Sequence, residues 1–234
     1  MYSSTISVYA LAAVGPTLLL MWIIYKHDKI EKEPVRLLVR LALLGIPAAL
    51  ISMALEGVGM SAVDRLLPSN SLIYMIVLCF LVIALVEEGS KYLMLRLASW
   101  KHPEFNCSFD GIVYSVFVSL GFAAFENIGY LMGYGLSIAP ARAVLAVPAH
   151  MAFSIFMGLF YGRAKGYYNR GNMIKSKAAR IMGIVIAVLF HGFYDTCAMT
   201  ASTVATILFY VVVIIMDVSM ILIVRRESRN DRPL

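Results

Sequence analysis

The chain reads LIYMIVLCFLVIALVEEGSKYLMLRL from Leu72 to Leu97, an apolar run that is long enough to cross a lipid bilayer. Within it, Glu87, Glu88 and Lys91 place two adjacent carboxylates and an ammonium where hydrocarbon is expected. A charged side chain at the centre of a bilayer costs about 2.5–3.5 kcal/mol on insertion scales. These three residues must therefore face protein or water, and we expect them to be functional.

Composition places the chain among integral membrane proteins. Of its 234 residues, 61% are hydrophobic and 15% are charged, and the mean hydropathy is +0.81. The net charge of +6 comes from basic residues that gather at the ends of apolar runs, so we expect the lipid bilayer and no nucleic acid as a partner. No interdomain linker interrupts the sequence, which predicts one domain over residues 1–234. The tail 225–234 is expected to be a solvated anchor, and the three cysteines to be free thiols.

Seven apolar runs predict an all-α, polytopic membrane helix bundle. They cover residues 6–25, 35–57, 72–97, 111–133, 141–163, 179–199 and 203–224. Lysine and arginine follow the odd-numbered runs, whereas the opposite connections contain only Arg65 and Arg142. This asymmetry predicts the N-terminus outside and the C-terminus in the cytoplasm. Seven glycines of the fourth and fifth runs predict close helix packing: Gly111, Gly121, Gly129, Gly133, Gly135, Gly158 and Gly162.

Ionisable side chains within the other spans are few, and we expect them to meet the charges of the third run. At about 1.5 Å per residue, three of them come about 12–14 Å below the outer face: Glu126, His150 and His191. The paired glutamates come about 18–24 Å below it, and helix tilt brings the two levels closer. Asp195 follows His191 by one helical turn, so its carboxylate can hold that imidazole in one tautomer.

The spacing on the third helix predicts a general base. Lys91 lies four residues after Glu87 and three after Glu88, so either carboxylate can pair with the ammonium. The other carboxylate is then less compensated and can accept a proton from water near neutral pH. We expect Glu88 to be this base, slightly ahead of Glu87. Tyr130 and Asn127 are expected to support the site by hydrogen bonding within the bundle, and Asp217 is left unassigned.

Two short motifs lie in order on successive spans. Glu87–Lys91 reads E-E-x-x-K, and Phe125–Tyr130 reads F-E-x-x-x-Y. Together with His150 and the segment His191–Asp195, these motifs resemble the PrsW family of intramembrane proteases over residues 72–200. That family is similar to a wider group of CAAX-type prenyl endopeptidases and bacteriocin-processing Abi proteins.

The chain departs from the wider group in two places. Lys91 stands one position before the arginine of E-E-x-x-x-R, and Glu126 replaces the histidine of F-x-x-x-H. The narrower resemblance implies a site-1 protease of a bacterial plasma membrane. Its partner would be a single-pass membrane protein such as an anti-sigma factor, cleaved on the extracytoplasmic side.

We expect this hydrolysis to need no metal or other cofactor. Glu88 or Glu87 would activate water, and His191 would donate to the oxyanion. His150 would position water or protonate the leaving amine, and Glu126 would hold one histidine or share the base role. Two alternatives stay open. Glu126, His150 and His191 also describe a catalytic zinc site with an open position, and seven helices also suit a non-catalytic receptor or transporter.

Overall fold

The computed structural model describes residues 2–234, with side chains described from Ser7 onward, and this part of the chain contains no β-strand. Seven helices are long and apolar enough to cross a membrane, which confirms the expected all-α bundle. They are α1 (Tyr2–His27), α2 (Val35–Leu66), α3 (Leu72–Ser99), α4 (Asp110–Tyr134), α5 (Leu136–Asn169), α6 (Met173–Met199) and α7 (Thr203–Arg229).

Several helices extend further than the apolar runs indicate. Helix α2 continues to Leu66, α5 begins at Leu136 and α6 begins at Met173. At these ends helical hydrogen bonding continues through segments in which polar residues such as Ser61, Ser137 and Lys175 interrupt the apolar pattern. Arg65 and Arg142, both expected in connections, therefore lie inside α2 and α5, and that expectation is wrong.

Wide π-helical turns interrupt two of the helices that carry the charged residues. One covers Leu78–Ala84 in α3, just before the paired glutamates, and the other covers Arg142–Ala146 in α5, just before His150. A π turn inserts an extra residue per turn and changes the direction in which later side chains point. These two turns therefore set the faces on which the α3 and α5 charged residues lie.

Helix α4 forms the centre of the bundle, and glycines bring its neighbours close. A Cβ on Gly121 would lie 1.9 Å from the carbonyl oxygen of Ala42 in α2, and one on Gly158 would lie 2.5 Å from that of Gly111. Such contacts confirm close packing at these positions. At Gly129, Gly133 and Gly135, however, a Cβ would meet nothing within 4 Å, so the expectation of close packing at these three positions is wrong.

The C-terminal tail is docked instead of solvated, which corrects the expected anchor. The Leu234 amide donates to the Asn106 carbonyl at 2.7 Å, and Asp231 Oδ1 accepts from the Phe109 amide at 2.8 Å. Nearby, buried Glu33 accepts a hydrogen bond from the Tyr114 hydroxyl at 2.6 Å, and burial raises the pKa of Glu33 to about 7. The three cysteines are free and buried, as predicted.

Candidate active site

Lys91 is the centre of the buried polar cluster. Its Nζ lies 2.8 Å from Glu87 Oε2, 2.9 Å from Glu88 Oε1 and 3.1 Å from His150 Nδ1. An ammonium has three N–H donors, so all of them are used. The expectation that only one glutamate pairs with Lys91 is wrong, because spacings of three and four residues bring both carboxylates to the same ammonium.

The contacts of His150 fix its tautomer. A lysine ammonium can only donate, so His150 Nδ1 must accept and the ring hydrogen must be on Nε2. That nitrogen lies 2.9 Å from Glu126 Oε2, which also accepts from Arg142 Nη2 at 3.0 Å. Glu126 therefore holds this histidine, which is one of the two roles expected for it.

His191 is held from both sides. Its Nδ1 lies 3.0 Å from Glu88 Oε1, its Nε2 lies 3.2 Å from Asp195 Oδ2, and Phe153 stacks on the ring with centroids 4.6 Å apart. The contact with Asp195 is the one that the sequence predicts. Both ring nitrogens are engaged by carboxylates, which leaves His191 no free N–H for an oxyanion in this arrangement.

These contacts join four helices into one continuous network. In order, its members are Asp195, His191, Glu88, Lys91, His150, Glu126 and Arg142, and Glu87 joins it through Lys91. The structure thus brings together every residue that the sequence analysis expects to be catalytic. Asp217 is outside the network and makes no hydrogen bond or ion pair with the side chains described.

A cavity of about 600 Å³ distinguishes the two adjacent glutamates. Glu87 and Glu126 line this cavity, which lies between α2, α3 and α4. Glu88 does not line it and is 0% exposed, because the helix turns this residue towards α6. The geometry therefore favours Glu87 over Glu88 as the residue that can meet a substrate.

Asn127 and Tyr130 support Arg142, and through it Glu126. The Arg142 Nε donates to Asn127 Oδ1, and its guanidinium lies 3.9 Å from the centroid of the Tyr130 ring. Asn127 also donates to the Ala13 carbonyl of α1 at 3.2 Å. These two residues fix the Arg142 end of the network.

Sequence reasoning missed two polar residues of α2 that line the cavity. They are Ser52 and Glu56. The rule that identified Glu87, an acid within an apolar span, applies equally to Glu56, which lies at the end of the second run. No sequence signal distinguishes Ser52 from other serines of the spans.

The donor set of the cluster fits a divalent metal ion such as zinc. Glu87, Glu88 and His191 each offer a ligand atom, and these atoms lie within 4.8 Å of one another. Glu88 Oε2 is buried without a hydrogen-bond partner, and carboxylate and imidazole are zinc ligands. Among the described residues, the expected set of Glu126, His150 and His191 does not come this close together, because both nitrogens of His191 are turned to Glu88 and Asp195.

Comparison with known proteins gives one consistent family. A sequence model described as "PrsW family intramembrane metalloprotease" matches residues 33–223. The Protease PrsW of Clostridioides difficile (strain 630) is 36% identical over 210 residues, covering 88% of this chain and 85% of that protein. The Protease PrsW of Bacillus subtilis (strain 168) is 31% identical over 192 residues, 79% of each chain. No solved structure matches the chain.

Proposed function

The chain belongs to the PrsW family of intramembrane proteases, and we propose that it cleaves a single-pass membrane protein with water activated by Glu87. One observation carries the assignment: Glu87 is the member of the glutamate pair that lines the cavity. Lys91 holds the Glu87 side chain in place by bonding to Oε2. The other carboxylate oxygen, Oε1, is left to bind the attacking water.

The reaction needs one proton carrier at the scissile bond. Glu87 takes a proton from water while the water oxygen bonds to the scissile carbonyl carbon. The carbonyl oxygen becomes an oxyanion, which the positive charge of Lys91, 2.8 Å from Glu87, stabilises through the electric field and without a direct hydrogen bond. When the C–N bond breaks, Glu87 returns the proton to the leaving amine, and the free carboxylate is restored.

The remaining residues of the network position this base. Glu88 is fully buried and bonds to both Lys91 and His191, so it fixes the ammonium that sets the charge of Glu87. His150 holds the same ammonium from the other side. We therefore assign Glu88, His150 and His191 to positioning.

A zinc ion held by Glu87, Glu88 and His191 would add Lewis-acid activation of the same water. Lys91 already places a positive charge at 2.8 and 2.9 Å from the two carboxylates, which supports the glutamate mechanism. Metal analysis of the purified protein, with cleavage measured after chelation, separates the two. Stoichiometric zinc that is needed for cleavage would overturn the metal-independent part of the proposal.

The position of the cavity supports cleavage on the extracytoplasmic side. Its lining residues on α4 run from Phe122 to Tyr134, the half of the helix on the same side of the membrane as the N-terminus. With the predicted topology, that side is outside the cell. An anti-sigma factor with one membrane span and an external stalk is the substrate that we propose.

Reconstitution with a tagged single-pass anti-sigma factor tests the function. We expect wild type to release a fragment, and Glu87→Gln to lower the rate by about 100-fold or more, the usual contribution of a general base. Asp217→Asn is the matched control, since it neutralises a membrane acid outside the network. Equal cleavage by wild type and Glu87→Gln would refute the assignment.

A further inference from the structure

Two polar side chains of α2 face the cavity without partners. Ser52 is 1% exposed, and its Oγ makes no hydrogen bond with the described part of the protein. Glu56 Oε1 is likewise buried and unpartnered. Both residues line the cavity that holds Glu87 and Glu126. A buried polar atom without a partner is costly, so the pair indicates a missing ligand.

The spacing of this pair matches an extended peptide. Ser52 and Glu56 are four residues apart, so they lie on one face of α2 and about 6 Å apart along its axis. In an extended chain, alternate residues present their N–H and C=O groups to the same side, about 6.6 Å apart. Ser52 and Glu56 can therefore each form a hydrogen bond with the backbone of one strand, at two residues that are two positions apart and face the same side.

The chemistry of the pair also suits a peptide backbone. A serine hydroxyl can donate to a carbonyl, and a carboxylate can accept from an N–H. A membrane segment must lose helical hydrogen bonds before it can be cut, and each unsatisfied backbone group in apolar surroundings costs several kcal/mol. Ser52 and Glu56 would offset part of that cost next to the scissile bond.

Apart from Glu126, much of the α4 wall of the cavity is apolar and matches apolar side chains. Phe125, Ile128 and Met132 of α4 line it opposite α2, and the last two are 40% and 78% exposed. Gly129 lies among them and leaves open space, since a Cβ there would meet nothing within 4 Å. A strand between α2 and α4 would thus have a polar edge on one side and apolar contacts on the other.

We propose that Ser52 and Glu56 form a binding edge for an extended, apolar segment of the substrate. The inference rests on the proposed function, because the edge would hold the backbone beside Glu87. Ser52 would donate to a substrate carbonyl, and Glu56 would accept from the N–H of a residue two positions away. Neither residue takes part in the proton transfer.

The test measures binding of a short, fluorescent, apolar peptide to the purified full-length protein in bicelles. Ser52→Ala and Glu56→Ala should each weaken binding by about 3- to 10-fold, the equivalent of one lost hydrogen bond. Ser61→Ala is the matched control, since its hydroxyl on the same helix bonds to the Gly57 carbonyl at 2.9 Å. Thermal unfolding of each variant verifies that it is folded.

A second peptide series identifies the backbone contact itself. Methylation of one backbone nitrogen at a time removes one N–H donor. One methylated position should weaken binding to wild type, and the same methylation should have no further effect on Glu56→Ala.

The outcomes separate the inference from the function. Unchanged peptide affinity in both α2 variants, with normal cleavage by wild type, would overturn the binding edge and leave the protease assignment standing. Loss of cleavage in Glu87→Gln, together with peptide binding that is weaker in Ser52→Ala and Glu56→Ala but normal in Glu87→Gln, would support both the protease assignment and the binding edge. A wild-type protein that neither binds the peptide nor cleaves the anti-sigma factor would overturn both.

Discussion

Replacing Lys91 by methionine keeps the apolar stem of the side chain and removes the ammonium that both glutamates share. Glu88 is 0% exposed and cannot recover its solvation in water, and Glu87, which is 5% exposed, can recover only part of it through the cavity. Removing one partner of a buried ion pair costs about 3–5 kcal/mol. Each carboxylate can escape this penalty by taking up a proton, which at pH 7 costs about 3.7 kcal/mol from an ordinary pKa near 4.3.

The cost of leaving a charge unpaired and the cost of protonating the carboxylates together set the range of stability loss in Lys91→Met. The free energy of unfolding should fall by about 3 to 7 kcal/mol at pH 7, the upper limit being protonation of both carboxylates. Because protonation becomes cheaper by about 1.4 kcal/mol per carboxylate and pH unit, the loss should shrink steeply towards pH 5. Denaturant unfolding in bicelles at both pH values measures it.

Matched variants make this prediction specific. Lys177→Met removes an exposed lysine of α6 and should change stability by less than about 0.5 kcal/mol. Adding Glu87→Gln and Glu88→Gln to Lys91→Met should restore much of the loss, because no unpaired charge is left buried. A Lys91→Met protein as stable as Lys177→Met, or a loss that does not depend on pH, would refute the role given to the ammonium.

Three further predictions concern packing, the docked tail and pH. Gly121→Ala should lose at least about 3 kcal/mol of unfolding free energy, since its Cβ would lie 1.9 Å from a backbone oxygen, whereas Gly129→Ala has open space and should change little. Thermal unfolding in bicelles compares the two. Asp231→Ala removes a 2.8 Å hydrogen bond from a backbone amide and should cost about 1.5–3 kcal/mol, but Glu227→Ala breaks only a long, half-exposed ion pair of 3.8 Å and should be nearly neutral. Glu33 has its pKa raised by burial from 4.5 to about 7, so its contribution to stability is complete below about pH 4.5 and is lost as the pH rises through about 7. Glu33→Gln should flatten that part of the stability curve, and an unchanged slope would contradict the assignment.

The sequence predicted the bundle and the identity of the polar cluster because both depend on local rules. Hydropathy and length define the seven spans, and the rarity of charge within them singles out residues such as Glu87, Glu126 and His191. Helical spacing was enough for the contact between His191 and Asp195, which are one turn apart.

Other features of the structure depend on helix irregularities and long-range contacts, which the spacing of residues in the sequence does not reveal. The π turn at Leu78–Ala84 changes the phase of α3, so an ideal helix could not tell whether Glu87 or Glu88 faces the cavity. Arg142 looked like a loop residue because a helix end and a connection have the same polar composition. The docked tail joins residues more than 120 positions apart, such as Asp231 and Ser108, which no local pattern reveals.

In the proposed mechanism Glu87, and not Glu88, activates the water. Glu87→Ala leaves a gap on the cavity wall that formate can fill, whereas the position of Glu88 is closed to solvent. We therefore predict that added formate restores cleavage of the proposed single-pass substrate by Glu87→Ala in a concentration-dependent manner and does not restore it in Glu88→Ala. Rescue of Glu88→Ala alone, or full activity of Glu87→Ala without formate, would contradict the mechanism.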